Sequence, residues 1–235
     1  MWDSPRLLNL AAGVLVGLVV LASTLTALHW LLRSPLFPLR VVELRTPLKQ
    51  AAQVQVEAAI ARLAAGNFFA VSIDELRAAL ERLPWIRAAA VRRVWPDRLE
   101  ISIEEHVPLA RWGAEALVNT HGERFAGASE VELPVFIGPP GTEAEVTLRY
   151  ARFSQLLAPL GSRLERIALS PRHAWQLRLA NGLQLTLGRD AELAEQRLAR
   201  FVDAYVRSPD TADKTREVVD LRYPNGFALR VRGGA

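Results

Sequence analysis

Few residues in this chain have the types and spacing that catalysis or metal binding requires. The four histidines are scattered at positions 29, 106, 121 and 173, and none has the spacing of a helical zinc site. Neither a Gly-x-Ser-x-Gly nucleophile elbow nor a phosphate-binding loop occurs in the sequence. The Gly-Pro-Pro-Gly sequence at residues 138–141 predicts a turn, because its prolines lack the amide donors that a phosphate cradle needs.

Two adjacent carboxylates, Glu104 and Glu105, come closest to a general acid and base. Neighbouring side chains on a β-strand point to opposite faces, so these two cannot act on one substrate. For Glu105 we predict a structural, hydrogen-bonded role. The chain has no cysteine, which excludes disulfides and thiolate metal sites. We therefore expect a protein that is not an enzyme and holds no metal or cofactor.

The charge of the chain is basic but mixed in sign. The sequence has 29 lysines and arginines and 25 acidic residues, a formal net charge of +4. This balance suits an anionic membrane surface or envelope polymer. No run of like charges and no interleaving of aromatic and basic residues indicates a nucleic-acid partner, so none is expected.

An uncharged apolar run at residues 7–32 predicts one transmembrane helix. At about 1.5 Å per residue it is about 39 Å long, enough to cross a hydrocarbon core of about 30 Å. Trp2 and Trp30 lie near its two ends, where amphipathic rings suit the membrane interfaces. A signal peptide cleaved after residues 20–22 is the alternative, but its apolar core would be only about 7–15 residues long. The flanking charges do not decide the orientation.

The apolar run is followed by a linker at residues 33–38, whose two prolines cannot continue a helix, and by a first unit at residues 39–106. This unit has the pattern strand, helix, helix, strand, strand. Ser72 and Glu75 have the spacing of a capping box, so the second helix should start there. A helix pair on a three-stranded sheet is predicted. The residues expected to face its core are Val54, Ala58, Ile60, Ala61, Leu63, Leu76, Ala79, Leu80, Leu83, Leu99, Ile101 and Ile103.

The second unit, residues 107–235, is richer in hairpins, so the whole chain is predicted to be α+β. Asn181-Gly182 between two alternating apolar runs predicts the strongest hairpin. Another is expected from strands 218–223 and 227–231 around the turn at 224–226. Helices are predicted at 143–160, capped by Thr142 with Glu145, and at 191–206. The core side of the latter helix should contain Leu193, Leu198, Phe201, Val202 and Tyr205.

Short motifs follow one another through both units. They are Leu83-Pro84-Trp85-Ile86, Val91-Arg92-Arg93, Trp95-Pro96-Asp97-Arg98-Leu99, Glu105 with Pro108, Ala110-Arg111-Trp112, Leu133-Pro134, Gly138-Pro139, Trp175-Gln176-Leu177, Leu187-Gly188-Arg189, Leu198-Ala199-Arg200-Phe201 and Asp220-Leu221-Arg222-Tyr223. Together these motifs resemble the FtsQ/DivIB family of bacterial cell-division proteins, and those of the first unit resemble its POTRA domain. Each motif is weak alone, but they are colinear over nearly the whole chain. Their close spacing resembles the FtsQ of Gram-negative bacteria more than DivIB.

The resemblance implies a non-enzymatic scaffold of the divisome, located in the inner membrane at the division septum. It implies a cytoplasmic tail at residues 1–6, a periplasmic ectodomain, and binding to FtsB and FtsL. The POTRA domain would contribute to septal recruitment through other divisome proteins. An outer-membrane secretion or assembly chaperone is the alternative function, since POTRA domains also occur there.

The resemblance further implies that the last strand accepts a strand from FtsB. The residues in question are Arg222, Tyr223, Asn225, Gly226, Phe227, Leu229 and Val231. Few residues follow this strand to cover its outer edge, so its backbone groups could pair with a partner. Val231 stands where relatives place a tryptophan, and Phe227 is a possible replacement. The simpler interpretation is that the apolar members are core, and both can hold.

Charged and aromatic residues around the turn at residues 95–97 allow two interpretations. Arg92, Arg93 and Arg98 are expected to be solvated, with contact to phospholipid or to an acidic partner as the alternative. Trp85 and Trp95 are expected to lie partly in the core, with a role as exposed anchors as the alternative. Pro84 and Pro96 should fix the geometry beside them.

Overall fold

The computed structural model describes residues 5–33, 37–51, 53–64, 66–207, 217–223 and 226–231. Helix α1 spans Pro5–Arg33. Its segment Asn9–Leu31 is long and apolar enough to cross a membrane, and none of it is buried against the rest of the chain. This helix fits a single-pass membrane protein. The chain divides into two compact units between Glu105 and His106.

The first unit contains the predicted helix pair and three-stranded sheet. Helices α2 (Gln53–Leu63) and α3 (Ile73–Glu81) lie in sequence between strands β1 (Val41–Leu44) and β2 (Ile86–Val94), and β3 (Arg98–Glu105) follows. The strand order is β1-β3-β2. Strand β3 pairs parallel with β1 and antiparallel with β2. The predicted β-α-α-β-β order is confirmed.

Helix α3 starts where the sequence predicts, because the Ser72 hydroxyl accepts a hydrogen bond from the Glu75 N–H at 3.3 Å. The predicted face of α2 is wrong at Val54, Ala58 and Ala61, whereas Ile60 and Leu63 pack against the core as predicted. Val54 is 77% exposed and Val56 is only 1% exposed. Residues two positions apart lie on nearly opposite sides of a helix. Because Val56 packs on the core, Val54 faces solvent, and Ala58 and Ala61 are exposed as well.

The second unit is built on a nine-stranded mixed sheet of order β12-β11-β10-β9-β8-β7-β4-β5-β6. Two long helices, α4 (Glu143–Leu157) and α5 (Ala191–Arg207), accompany it, as predicted. The strands are β4 (Pro108–Trp112), β5 (Ala116–Asn119), β6 (Arg124–Phe125), β7 (Val135–Ile137), β8 (Leu164–Leu169), β9 (Trp175–Leu179), β10 (Gln184–Gly188), β11 (Glu217–Asp220) and β12 (Ala228–Val231).

The core of the second unit follows from the alternation along β9 and β10. Trp175, Leu177 and Leu179 on β9 are buried, and so are Leu183, Leu185 and Leu187 along the returning chain. Gly182 has a φ of 92°, a conformation that glycine adopts without steric cost, so the hairpin forms where Asn181-Gly182 predicts it.

Two details of the second unit differ from the predictions. Thr142 does not cap α4 through its side chain; its hydroxyl donates to the Pro139 carbonyl at 2.7 Å. Leu193 is 42% exposed, whereas Leu198 and Phe201 on the same helix are fully buried. Leu193 falls outside the stripe of α5 that packs on the sheet, because it lies five residues before Leu198.

Candidate partner-binding site

The edge of the large sheet is formed by β12. This strand pairs antiparallel with β11, which in turn pairs parallel with β10. Within the part of the chain that the structure describes, no strand pairs with the other side of β12. An edge strand presents backbone N–H and C=O groups that a strand from another chain can use.

Strands β11 and β12 are shorter than the sequence pattern predicts. The ladder ends at the Asp220–Ala228 pair, so residues 221–223, 226 and 227 lie outside it. Leu221, directly after β11, does not pair with β12. Its N–H donates to the Thr186 carbonyl on β10 at 2.8 Å. The Asp220 carboxylate then accepts the Arg222 N–H at 3.0 Å, which ends the strand. Residues 222, 223, 226 and 227 therefore lie beside the edge and not within the sheet.

The predicted partner residues lie at this edge. Tyr223 is 55% exposed, Leu229 44% and Phe227 39%, while Arg222 and Gly226 are exposed. Asn225 lies outside the described residues, and Val231 is described by its backbone in β12 only. Leu229 is paired with Val219, which is fully buried. Its side chain therefore continues the apolar core face to the open edge.

A small concavity lies next to the edge strand. It has a volume of about 150 Å³ and is lined by Arg197, Arg200, Phe201, Leu221, Tyr223, Gly226 and Phe227. The Phe227 ring packs edge-on against the buried Phe201 ring, with their centroids 5.3 Å apart. Phe227 thus packs partly on the core, as the core interpretation requires, while its contact with a partner stays a prediction.

Two lining residues, Arg197 and Arg200, were not among the predicted site residues. They lie three residues apart on α5, a spacing that places both on one helix face. That spacing, with Arg200 inside the Leu198-Ala199-Arg200-Phe201 motif and Arg197 directly before it, is the sequence signal that could have indicated them. The Arg197 guanidinium donates to the Leu187 carbonyl at 3.1 Å, which fixes it beside the end of β10.

Gly188 lets the arginines approach the edge closely. It has a φ of +93°, and a Cβ added there would lie 3.3 Å from Arg197 Nη1 and 3.5 Å from Arg222 Cγ. Both arginine side chains therefore pass over Gly188. This geometry accounts for a glycine in the Leu187-Gly188-Arg189 motif, since only glycine combines that backbone conformation with that space.

The electrostatics of the edge are dominated by Asp220 and Arg222. Hydrogen bonding from Arg222 holds the pKa of the Asp220 carboxyl below its ordinary value, and the same pair raises the pKa of Arg222. Both groups are therefore charged at neutral pH. The edge combines exposed aromatic rings with Arg197, Arg200 and the Arg222–Asp220 ion pair.

Comparison with known proteins agrees with this architecture. Residues 110–222 match the family model described as cell division protein FtsQ/DivIB, C-terminal, and residues 37–106 match the POTRA domain, FtsQ-type. The cell division protein FtsQ of Burkholderia pseudomallei is 40% identical over 99% of this chain and 95% of its own length. The chain belongs to the FtsQ/DivIB family.

Other relatives support the same assignment over the full length. The cell division protein FtsQ of Nitrosospira multiformis is 40% identical over 98% of this chain and 99% of its own length. The cell division protein FtsQ of Neisseria gonorrhoeae is 32% identical over 98% of this chain and 95% of its own length. The match to the FtsQ/DivIB C-terminal model ends at Arg222, so Tyr223 and β12 lie beyond it.

In the POTRA domain of this FtsQ/DivIB-family chain, Glu105 is a structural carboxylate, as predicted. It accepts hydrogen bonds from the N–H groups of Lys49, Gln50 and Ala51 at distances between 2.7 and 3.1 Å. These amides immediately precede α2, so Glu105 ties the end of β3 to the approach of the helix.

The arginines of the POTRA motif are exposed, as expected, and they also make structural hydrogen bonds. Arg93 donates to the carbonyls of Phe68, Phe69 and Val71, which fastens that loop to β2. Arg92 pairs with Glu100, which also accepts from Arg45 at 2.7 Å. The hydrogen bonds from Arg45 and Arg92 lower the pKa of the Glu100 carboxyl, which is only 7% exposed.

The two motif tryptophans differ. Trp85 is half-buried, as expected, but Trp95 is 65% exposed, so the prediction of a partly buried core position is wrong for Trp95. Trp95 follows the last residue of β2 and begins the turn to β3, where the sheet no longer covers it. Pro84 and Pro96 are both exposed.

Proposed function

We propose that this chain is a non-enzymatic scaffold of the divisome at the division septum, and that β12 binds FtsB by strand addition, with FtsL as a further partner. The observation that carries this proposal is the open edge of β12, flanked by Tyr223 and Phe227. Membership of the FtsQ/DivIB family supports the cell-division role.

The proposed strand addition combines two kinds of contact. Backbone hydrogen bonds to β12 would give affinity for an added strand whatever its sequence. Side-chain contacts would select the partner. The concavity beside Tyr223 offers room for one apolar side chain, and Arg197 and Arg200 favour an acidic side chain beside it. Aromatic and arginine residues often carry most of the binding energy of an interface.

Hydrogen exchange on the full-length chain in nanodiscs, with and without the FtsB–FtsL complex, tests the site. Backbone amides of β12 should exchange more slowly in the complex, because their outward N–H groups become paired. Amides of α3 in the POTRA domain serve as the internal control and should not change. Binding without slower exchange in β12 would contradict strand addition there.

The POTRA domain is proposed to act in septal recruitment through other divisome proteins. The proposed topology places residues 1–6 in the cytoplasm and both folded units in the periplasm. Alkaline phosphatase fused after Ala235 should then be active, because it folds only outside the cytoplasm. An inactive fusion, together with an active cytoplasmic reporter at the same position, would reverse this topology.

Depletion of the protein separates the scaffold from the alternative, a chaperone for outer-membrane proteins. A divisome scaffold should leave filamentous cells with normal levels of outer-membrane barrels. Loss of those barrels in cells that still divide would favour the chaperone.

A further inference from the structure

Four aromatic rings form an exposed cluster at one end of the POTRA domain. The aromatic cluster consists of Phe37, Phe68, Phe69 and Trp95, with ring centroids 5.1 to 6.4 Å apart. Phe68 is buried and forms the floor, whereas Phe69 and Trp95 are 40% and 65% exposed. Exposed apolar groups gathered in this way mark an interaction site more often than scattered ones do.

The aromatic cluster is held in place by backbone hydrogen bonds. The Phe68 N–H donates to the Phe37 carbonyl at 2.8 Å, which joins the chain after α1 to the loop that precedes α3. The Arg93 guanidinium holds the Phe68 and Phe69 carbonyls from the side of β2. The rings are therefore preorganised, and docking them costs little conformational entropy.

The aromatic cluster is tethered close to the membrane. Helix α1 ends at Arg33, and Phe37 is four residues further along the chain. At no more than about 3.6 Å per residue, Phe37 lies within about 14 Å of the helix end. Trp30, in the last turn of the helix, is 68% exposed and marks the interface. Headgroup layers are about 5–8 Å thick on each side of the hydrocarbon core, so the tether keeps Phe37 within reach of them.

An exposed arginine, Arg40, lies beside the aromatic cluster. The Arg40 N–H donates to the Asp97 carbonyl at 3.0 Å, so exposed Arg40 lies beside the Trp95 turn. The Arg98 side chain is 52% exposed and pairs with Glu43 at 3.3 Å. Arginines beside exposed aromatic rings complement anionic phospholipid headgroups.

We propose that the aromatic cluster docks into the interface of the membrane that α1 crosses, with phospholipid as its partner. Trp95 and Phe69 would enter the boundary between headgroups and acyl chains, and Arg40 would contact the phosphates. This docking would hold the POTRA domain against the bilayer. The proposal is independent of the strand-addition site.

Quenching by brominated lipid tests the proposal on the full-length chain. The chain is placed in nanodiscs of phosphatidylethanolamine and phosphatidylglycerol, with plain or brominated acyl chains. Subtracting the tryptophan fluorescence of the Trp95→Phe variant from that of the parent gives the fluorescence of Trp95 alone. Its emission should fall about twofold in brominated lipid, because interfacial tryptophans reach the acyl boundary. Aqueous iodide should quench it weakly.

Trp85→Phe is the matched control. Trp85 and Trp95 flank the two ends of β2, so they lie about 30 Å apart at 3.3 Å per residue. Trp85 emission should not respond to bromine. Trp95 emission that is unaffected by bromine would overturn the proposal, whether water or another protein covers the ring, and so would equal quenching of both tryptophans.

A second measurement keeps the test independent of the Trp95 variant. The chain has no cysteine, so Phe69→Cys accepts a single nitroxide label. Oxygen, which concentrates in lipid, should increase the spin relaxation rate of this label more than a water-soluble nickel chelate does. The opposite order would overturn the proposal.

Discussion

The Arg222 guanidinium is held by the carboxylate of Asp220, two residues earlier in the chain. Arg222 Nε donates to Asp220 Oδ1 at 2.9 Å, and Nη2 donates to Oδ2 at 2.6 Å. The Arg222 backbone N–H bonds to the same carboxylate at 3.0 Å. Asp220 thereby ends β11 and also fixes the direction of the arginine at the sheet edge.

Replacing Asp220 should weaken partner binding without unfolding the domain. In Asp220→Asn the amide cannot accept both guanidinium bonds, so Arg222 loses its fixed orientation. We expect FtsB affinity to fall about fivefold, which is about 1 kcal/mol. Isothermal titration calorimetry measures the affinity of this variant and of a matched control, Asp203→Asn. Asp203 is exposed on α5, and its replacement changes the net charge by the same amount as Asp220→Asn. Equal affinities of the two variants would remove Asp220 from the site.

Elements with local determinants could be predicted from the sequence. The Asn181-Gly182 turn supplies its own backbone conformation, and Ser72 supplies its own cap, so neither depends on distant contacts. The position of β12 at the edge was also predicted, and among the described residues β12 is the end strand of the large sheet.

Features that depend on tertiary packing could not be predicted. The buried face of α2 is set by tertiary packing, and the periodicity of its small alanines favoured Val54 over Val56, the residue that is buried. Arg197 and Arg200 belong to the edge only because α5 packs beside β10 and β11. Trp95 next to a proline looks like a core residue, and only the end of β2 decides its exposure.

A pair of proline variants should separate partner pairing from folding. Neighbouring residues of an edge strand direct their N–H groups alternately inward and outward. Of Ala228→Pro and Leu229→Pro, one should therefore lower the melting temperature, and the other should weaken FtsB binding in a stable domain. Leu229→Ala controls for the lost leucine side chain. Two variants that both bind FtsB normally would exclude backbone pairing at β12.

Removing the Glu105 carboxylate should destabilise the POTRA domain. Glu105→Ala leaves the amides of residues 49–51 without their acceptor, and we expect a loss of about 1–2 kcal/mol in the free energy of unfolding. Glu104→Ala is the matched control, because Glu104 makes an exposed ion pair with Arg87, and such pairs contribute little to stability. Chemical denaturation of the full-length chain in nanodiscs compares the two. Similar losses in both variants would contradict the structural role of Glu105.

The stability of the POTRA domain should depend on Glu100 in acid. Its folded-state pKa is lowered by hydrogen bonds from Arg45 and Arg92 below the ordinary value of 4.5. The stabilisation is therefore fully present above pH 4.5 and is lost as the pH falls through the folded pKa. Unfolding free energies measured against pH should decline below that value in the parent and less steeply in Glu100→Gln. Parallel curves would show that Glu100 does not contribute.

The affinity of the Tyr223→Ala variant for FtsB tests the central claim most directly. Tyr223 lines the concavity at the edge and is 55% exposed, so its removal should leave the domain folded. Truncating a central interface residue costs about 2 kcal/mol or more, so we predict at least about 30-fold weaker binding, with an unchanged melting temperature. A folded Tyr223→Ala chain that binds FtsB as tightly as the parent would contradict the account.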